Sequence, residues 1–356
     1  MMRKTIKWFA VISAMVMALT LGLAGCSDPS SSSNDSSGNG ATAGSSGTGN
    51  GGNSGEGGSS GVGNGSTGGS GSSSGVGNGG ETVPEGFVKV TGGTVTGSTD
   101  YASSDGDYIF VEGRTVTIQD MYVSDHEVTQ AEYSKYCKYG SSSSSSSYGV
   151  GDNYPAYYVN WYDAVVYCNL RSIDEELTPA YKIGEETDPR KWSGIVGDAE
   201  NGYCGPSSSN STWNALTYDK TANGYRLPTE AEWEYIAREA GTSTTTYSGS
   251  DTIDDVAWYI SNSSSKTHEV KTKNANSLGI YDMSGNVGEW CWDWYSRINT
   301  STADTGADSD SGSGRVTRGG SWPYNASDCT VSLRFNYDPY GRCDDLGFRV
   351  VRSSSK

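Results

Sequence analysis

The side chains with which this 356-residue chain could do chemistry are few in kind: 7 cysteines, 2 histidines, and 42 Asp and Glu set against 25 Lys and Arg. His126 and His268 are its whole stock of imidazole, so a multi-histidine metal centre is excluded and a Ser/His/Asp triad has little to draw on. Cys26 stands apart by its setting. It ends the run Leu23-Ala24-Gly25-Cys26, behind a basic start (Arg3, Lys4, Lys7) and an apolar stretch from Trp8 to Leu23. Small residues ahead of a lone cysteine, with polar sequence directly after it, predict a secretion signal over 1–26 that is cleaved and acylated at Cys26. The expected product is a lipoprotein of the bacterial cell envelope, lipid-anchored and displayed at the outer-membrane surface, where disulfides can form. Six cysteines then remain, at 137, 168, 204, 291, 329 and 343, and the sequence leaves their pairing open.

The formal charge is −17, and without residues 1–26 it is 22 cations against 42 anions, or −20. Nucleic acid is excluded as a partner on that balance, because phosphate binding needs clustered Lys and Arg. From 27 to 82 the chain is almost all Ser, Gly, Asn and Thr with no aromatic residue, Lys or Arg, so it cannot bury enough surface to order itself. As a Gly-rich coil such a stretch spans about 40 Å, a tether rather than a recognition element. All 24 Tyr lie beyond it, as do all the Trp except Trp8, and residues 83–356 are expected to form one domain.

Local patterns predict three helices in that domain. Thr129 and Glu132 make a capping box ahead of Tyr133, Tyr136 and Cys137; Asn160 caps a helix with Ala164, Tyr167 and Cys168 inward; Thr229 and Glu232 open a helix running through Trp233, Ile236, Ala237 and Ala240 to Gly241. Cys137 and Cys168 on buried helix faces read as packing or disulfide residues. Strands are expected at Phe87 to Val90, Thr115 to Ile118 and Phe348 to Arg352, with Ser-rich insertions near 141–147 and 300–313.

The motifs Glu127-Val-Thr-Gln130, Val159-Asn-Trp-Tyr-Asp-Ala164, Tyr225-Arg-Leu-Pro-Thr-Glu-Ala-Glu-Trp-Glu234, Gly279-Ile-Tyr-Asp-Met-Ser-Gly-Asn-Val-Gly-Glu-Trp290 and Arg318-Gly-Gly-Ser-Trp322 occur in order. Together they closely resemble the formylglycine-generating-enzyme (sulfatase-modifying factor) family. The resemblance implies an α+β, loop-rich variant of the C-type lectin fold with few helices and short strands. It also implies two copper-binding cysteines near the carboxy terminus, but the first of those positions is Tyr324 and only the second, Cys329, is kept. A soft metal needs the thiolate pair, so neither copper nor oxidase activity is expected. The family's calcium loop maps onto Asp282, Gly285, Val287 and Glu289, which makes a structural calcium the ion to look for. The same two carboxylates could equally serve by accepting hydrogen bonds from backbone amides in a tight loop.

Over 315–352 two kinds of residue alternate. Arg318, Gly319, Gly320, Ser321, Trp322, Ala326, Cys329, Val331, Ser332, Arg334, Pro339, Arg342, Leu346, Gly347, Phe348 and Arg349 read as framework, with the four arginines bracing the loop. Between them stand Pro323, Tyr324, Asn325, Ser327, Asp328, Leu333, Phe335, Asn336, Tyr337, Asp338, Tyr340, Gly341, Cys343, Asp344 and Asp345. This arrangement resembles the variable region of diversity-generating retroelement proteins of the Treponema variable-lipoprotein type. There, adenines of Asn codons in a template are randomised on copying, which cannot yield Lys, Glu, Gln, Met or Trp. None of the fifteen positions holds any of those five. The resemblance implies that these residues choose a ligand, a protein or other surface ligand, and their mix of Tyr, Phe, Asn, Ser and Gly is that of an antibody paratope. The reading that results is a surface-displayed, non-enzymatic binding lipoprotein; an invariant binding lipoprotein of the same fold is the first alternative and a formylglycine-generating oxidase the second.

Overall fold

The computed structural model describes residues 82–102, 108–139, 144–304, 312 and 314–354. The signal with Cys26, nearly all of the Ser/Gly-rich stretch, and parts of both Ser-rich insertions lie outside the described residues. The body of the molecule is the unit Glu81–Lys356. Among the described residues no helix is long and apolar enough to cross a membrane.

Three helices start where the sequence supplies a cap. In α1 (Gln130–Ser134) and α3 (Glu230–Ala237) a Thr hydroxyl, from Thr129 and Thr229, accepts from the amide of the third helical residue, whose Glu side chain returns to the cap amide. In α2 (Trp161–Asp174) Asn160 and Asp163 do the same. Each box satisfies two otherwise orphaned donors, and removing such a cap costs about 1 kcal/mol. Two helices stop short of their sequence-based ends. The third helix was expected to reach Gly241, but Glu239, Ala240 and Gly241 all take positive φ and the helix closes at Ala237.

Among the described residues eight strands form two four-stranded sheets: β1 (Phe87–Val90), β2 (Met121–Ser124), β3 (Tyr225–Arg226), β4 (Gly288–Trp294), β5 (Arg315–Arg318), β6 (Arg334–Tyr337), β7 (Leu346–Gly347) and β8 (Val351–Ser353). One sheet runs β1-β2-β8-β3, so the carboxy-terminal strand is paired on both edges, Val351 with Val123 on one side and with Arg226 on the other. The second runs β6-β5-β4-β7. Its β5 and β6 are antiparallel with Arg318 opposite Arg334, and β7 lies parallel to β4. Of the expected strand over Phe348 to Arg352 only 351–352 is strand, in β8; residues 348–350 link β7 to β8, and Arg349 among them pairs with Glu289. Thr115 to Ile118 is a strand as expected, paired with Gly93–Thr96.

Two apolar clusters hold these elements. One gathers around α2, with Trp161, Val165, Tyr167, Trp290 and Phe348; the other around α3, with Trp233, Ile236, Ile118 and Val316. The buried tryptophans keep their ring N–H groups satisfied: Trp161 donates to the Cys291 carbonyl at 2.9 Å and Trp290 to the Val159 carbonyl at 2.8 Å. Arg315 lies between the rings of Trp161 and Trp294, 3.8 Å from each centroid. That stacking keeps a guanidinium tolerable in an apolar surrounding.

Candidate ligand-binding surface

The second sheet positions the carboxy-terminal segment. Residues 319–333 leave β5 and return as β6; residues 338–345 then lead to β7. The exit from β5 requires Gly319 and Gly320, at φ +92° and +68°; a Cβ on Gly320 would stand 2.5 Å from the Asp328 carbonyl oxygen and 2.8 Å from Cys329 Sγ. No other residue fits there.

Four framework arginines tie this segment to fixed carboxylates elsewhere. Arg318 pairs with Glu234 and donates to the carbonyls of Val331, Ser332 and Leu333. Arg334 grips Glu230 at 2.6 and 2.7 Å, Arg342 grips Asp163 at 2.9 Å twice, and Arg349 grips Glu289 at 2.7 and 2.6 Å. Burial alone would push the Glu230 carboxyl up, yet Arg334 and Arg318 hold it below its ordinary range. These are bidentate, water-excluded pairs, the form in which a guanidinium fixes geometry most strictly. The bracing role expected of the four arginines is the one they take.

Burial separates the two kinds of residue. All the framework positions are buried except Ala326 and Arg342, which are half-buried. Phe348 lies in the core around α2, whereas Trp322 is covered at the edge of the domain by Tyr148. Of the fifteen positions assigned to the ligand, Asn325, Ser327 and Asp338 are exposed, and Pro323, Tyr324, Asp328, Phe335, Asn336, Tyr337, Tyr340, Gly341 and Asp344 are partly so. Leu333, Cys343 and Asp345 correct the assignment. They are 9%, 2% and 7% exposed, and Ser321 Oγ donates to Asp345 at 2.7 Å, so these three belong with the framework.

The structure brings together Tyr324, Phe335 and Tyr337. The first two rings are 5.3 Å apart, and the hydroxyls of Tyr324 and Tyr337 are 2.5 Å apart. Asn325, Ser327 and Asp328 decorate the 3-10 turn beside them, with Ser327 Oγ donating to Asp328 at 3.2 Å. A second group lies next to the start of α2, where Tyr340 donates to Asp338 at 2.9 Å and its carbonyl accepts from Asn160.

Cys329 is fully buried, and burial pushes its thiol up to about 12. A thiolate is the reactive and metal-binding form, and this site opposes it. Cys137, Cys168, Cys204, Cys291 and Cys329 are all free, buried thiols, so five of the six domain cysteines pack instead of forming bridges.

In the loop from Asp282 to Glu289 the calcium set divides. Glu289 is taken: both oxygens accept from Arg349, and one also accepts from Trp233 Nε1 at 2.7 Å. Asp282 accepts from the Lys271 amide at 2.7 Å through Oδ2, while its Oδ1 is buried with no hydrogen-bond partner. Among the described residues no three His, Cys, Asp or Glu form a metal-holding group. Asp282 therefore keeps one uncommitted oxygen, whereas both oxygens of Glu289 are committed to Arg349 and Trp233, so the residues present do not fit a cation that Glu289 ligates. Glu127 was missed as a functional residue. Fully buried, it accepts from Val287 N at 3.0 Å and Asn286 Nδ2 at 2.6 Å and so shapes this loop. The motif containing it was visible, but its partners lie 160 residues away.

Fold and site together define a C-type lectin-like domain that presents side chains from a braced carboxy-terminal segment. The chain belongs to the family described as sulfatase-modifying factor enzyme 1-like domain, whose model matches residues 76–354. It is similar in structure to Treponema denticola variable protein 1, with 34% identity, a TM-score of 0.59, and coverage of 75% of this chain and 94% of that one. It is 36% identical over 292 residues to the chaperone protein LppX of Paenibacillus barcinonensis, covering 76% of this chain and 91% of the relative. The formylglycine-generating enzyme of Streptomyces coelicolor is 33% identical over 162 residues, 40% of this chain and 51% of that enzyme.

Proposed function

We propose that the protein is a non-enzymatic binding lipoprotein, tethered to the membrane through acylated Cys26 and held at the outer surface of the envelope. Its partner, a protein or other surface ligand and not nucleic acid, is chosen by the exposed residues between Pro323 and Asp344. The observation that carries this reading is the division of burial within one segment: nearly all framework residues are buried, and twelve of the fifteen assigned residues are exposed or partly so. A surface whose composition the core does not constrain is free to vary without loss of fold. Retroelement diversification accounts for that freedom. It requires a near-copy of the coding stretch for 315–352, with Asn codons at the assigned sites, beside a reverse-transcriptase gene.

The absence of a thiolate pair supports a role without catalysis, since Tyr324 stands at one position and Cys329 is buried at the other. The test is selection of peptides from a displayed library against the intact protein. A variant with Tyr324, Asn336, Tyr337 and Asp344 all replaced by Ser should lose at least tenfold in affinity for the selected peptides. Undiminished binding would sink the reading. A second reading, a chaperone role, draws on the likeness to the chaperone protein LppX. It requires that substoichiometric protein suppress aggregation of an unfolding client, and that the same quadruple variant still do so.

A further inference from the structure

Beside the displayed residues stands a group of rings that the carboxy-terminal segment only partly supplies. Tyr148 and Tyr158, which precede α2, are both part-exposed. The Tyr148 ring lies 5.8 Å from Trp322 and 6.3 Å from Tyr158, centroid to centroid. Asp344 lies beside them: Trp322 Nε1 donates to its main-chain carbonyl at 3.3 Å, and its negative charge raises the Tyr148 hydroxyl pKa and, after burial, that of Tyr158.

Backbone contacts fix these rings independently of what occupies position 344. The Tyr148 carbonyl accepts from Thr267 twice, from the amide at 3.1 Å and the hydroxyl at 2.5 Å. Tyr158 sits at φ +57°, a left-handed conformation that is costly for a bulky side chain, and its amide donates to the Cys343 carbonyl at 2.8 Å. Between them Tyr157, fully buried, ties its hydroxyl to the Gly149 carbonyl at 2.8 Å. Strain of this kind persists where a surrounding structure imposes it, and it is concentrated at ligand clamps.

The electrostatics are one-sided. Among the described residues Asp344 has no Lys or Arg partner, and no cationic side chain lies over Tyr148, Tyr158 or Trp322. A part-exposed carboxylate next to a group of aromatic rings, without a cation of its own among the described residues, is complementary to an alkylammonium group. The rings attract the charge through their quadrupoles and the carboxylate accepts its N–H bonds.

We propose that Tyr148, Tyr158, Trp322 and Asp344 form a subsite for a primary alkylammonium group, the lysine side chain of a protein partner. This rests on the reading of the carboxy-terminal surface as the binding surface, and it divides the labour there. The three rings belong to the fixed part of the molecule and set the shape of the subsite, whereas residue 344 sets the charge it takes.

The probe is Nα-acetyl-lysine methylamide, titrated into the intact protein and followed by calorimetry, with its Nζ-acetylated counterpart and methylamine beside it. The expected result is millimolar binding of the lysine probe that weakens at least tenfold on Nζ-acetylation, at least tenfold in Asp344→Asn, and several-fold in Tyr158→Ala. No binding to the wild type, or equal binding by Asp344→Asn, overturns the subsite. Methylamine binding as tightly as the lysine probe overturns the assignment to a side chain. A Tyr324→Ser, Asn336→Ser, Tyr337→Ser triple variant should bind the probe like the wild type while losing library-selected peptides. Those two readouts separate failure of the subsite from failure of the wider reading.

Discussion

Arg334 and Glu230 meet as a bidentate pair, Nε to Oε1 at 2.6 Å and the second nitrogen to Oε2 at 2.7 Å, with both side chains closed to solvent. The pair joins the first residue of β6 to the first of α3, so the displayed strand is located by a charge contact across 104 residues of chain. Glu230→Gln should destabilise by about 3–5 kcal/mol, because it leaves a guanidinium buried with one fewer partner. Replacing both residues by apolar ones of similar volume should cost less than that single change. Denaturant unfolding of the three variants checks the order, and a double replacement worse than either single one refutes it.

Display and scaffold should separate in stability as they do in burial. Serine at Tyr324, Asn336, Tyr337 and Asp344 together should cost about 0.5 kcal/mol per site. Phe348→Ala, which empties a fully buried site in the core around α2, should cost about 3–5 kcal/mol. Trp322→Ala should fall between them, since that ring is covered at the edge of the domain and lies in neither large apolar cluster. A quadruple variant less stable than Phe348→Ala would reverse the two roles.

What the sequence made legible was local. The boxes at Thr129, Asn160 and Thr229 depend on residues three apart, and strands at 87–90 and 115–118 depend on alternation within four residues. The motifs carried the fold, and the missing cysteine at 324 carried the loss of the thiol pair. Leu333, Cys343 and Asp345 were misassigned because a codon rule concerns which residues copying can produce, not which the fold encloses. Asp345 is buried because Ser321, 24 residues earlier, donates to it. The occupation of Glu289 by Arg349, the packing of Tyr148 on Trp322 and the bond from the Tyr158 amide to the Cys343 carbonyl are likewise relations across long stretches of chain. Periodicity contains no record of them.

His126 gives the pH dependence of one corner of the fold. Burial would lower its pKa, but hydrogen bonds to Asp125 and Glu132 outweigh burial and raise it from 6.5 to about 9. Lys271 and Arg171 face the same two carboxylates. A raised histidine pKa means stability fully present below pH 6.5 and lost as pH rises through 9. Glu132 is opposite in sign: burial would raise it, and the His126 contact takes it down to about 2, so its contribution is present above pH 4.5 and lost as pH falls through 2. The contact should be worth up to about 3 kcal/mol between pH 4.5 and 6.5, counted once for the pair. His126→Gln should lower the melting temperature in that window and have little effect at pH 10. An equal penalty at both ends would show that packing, not charge, is what His126 supplies.

Calcium, if Asp282 takes it, binds weakly. With Glu289 committed to Arg349 and Trp233, a cation keeps only one of the two carboxylates that the family resemblance implies, and fewer charged ligands mean lower affinity. The melting temperature should therefore rise only as free calcium reaches the millimolar range, following mass action, and Asp282→Ala should remove the response. A flat melting temperature up to ten times that concentration would leave the loop to its hydrogen bonds alone.

Cys329 offers the sharpest test of the non-enzymatic reading. Its thiol is fully buried in a cluster with Tyr247 and Val256, close to the Gly320 turn. A buried thiol with its pKa near 12 presents almost no thiolate at neutral pH, and thiolate is the form that attacks an electrophile or binds Cu(I). The folded protein should accordingly resist alkylation at Cys329 under conditions that label it fully in denaturant. Supplied with copper and a cysteine-containing sulfatase peptide, it should release no formylglycine product. Tyr324→Cys, which restores the second sulfur at a part-exposed position, should not rescue turnover, because the Cys329 thiol stays enclosed. Product from the wild type that disappears in Cys329→Ser would place this chain among the oxidases of its family.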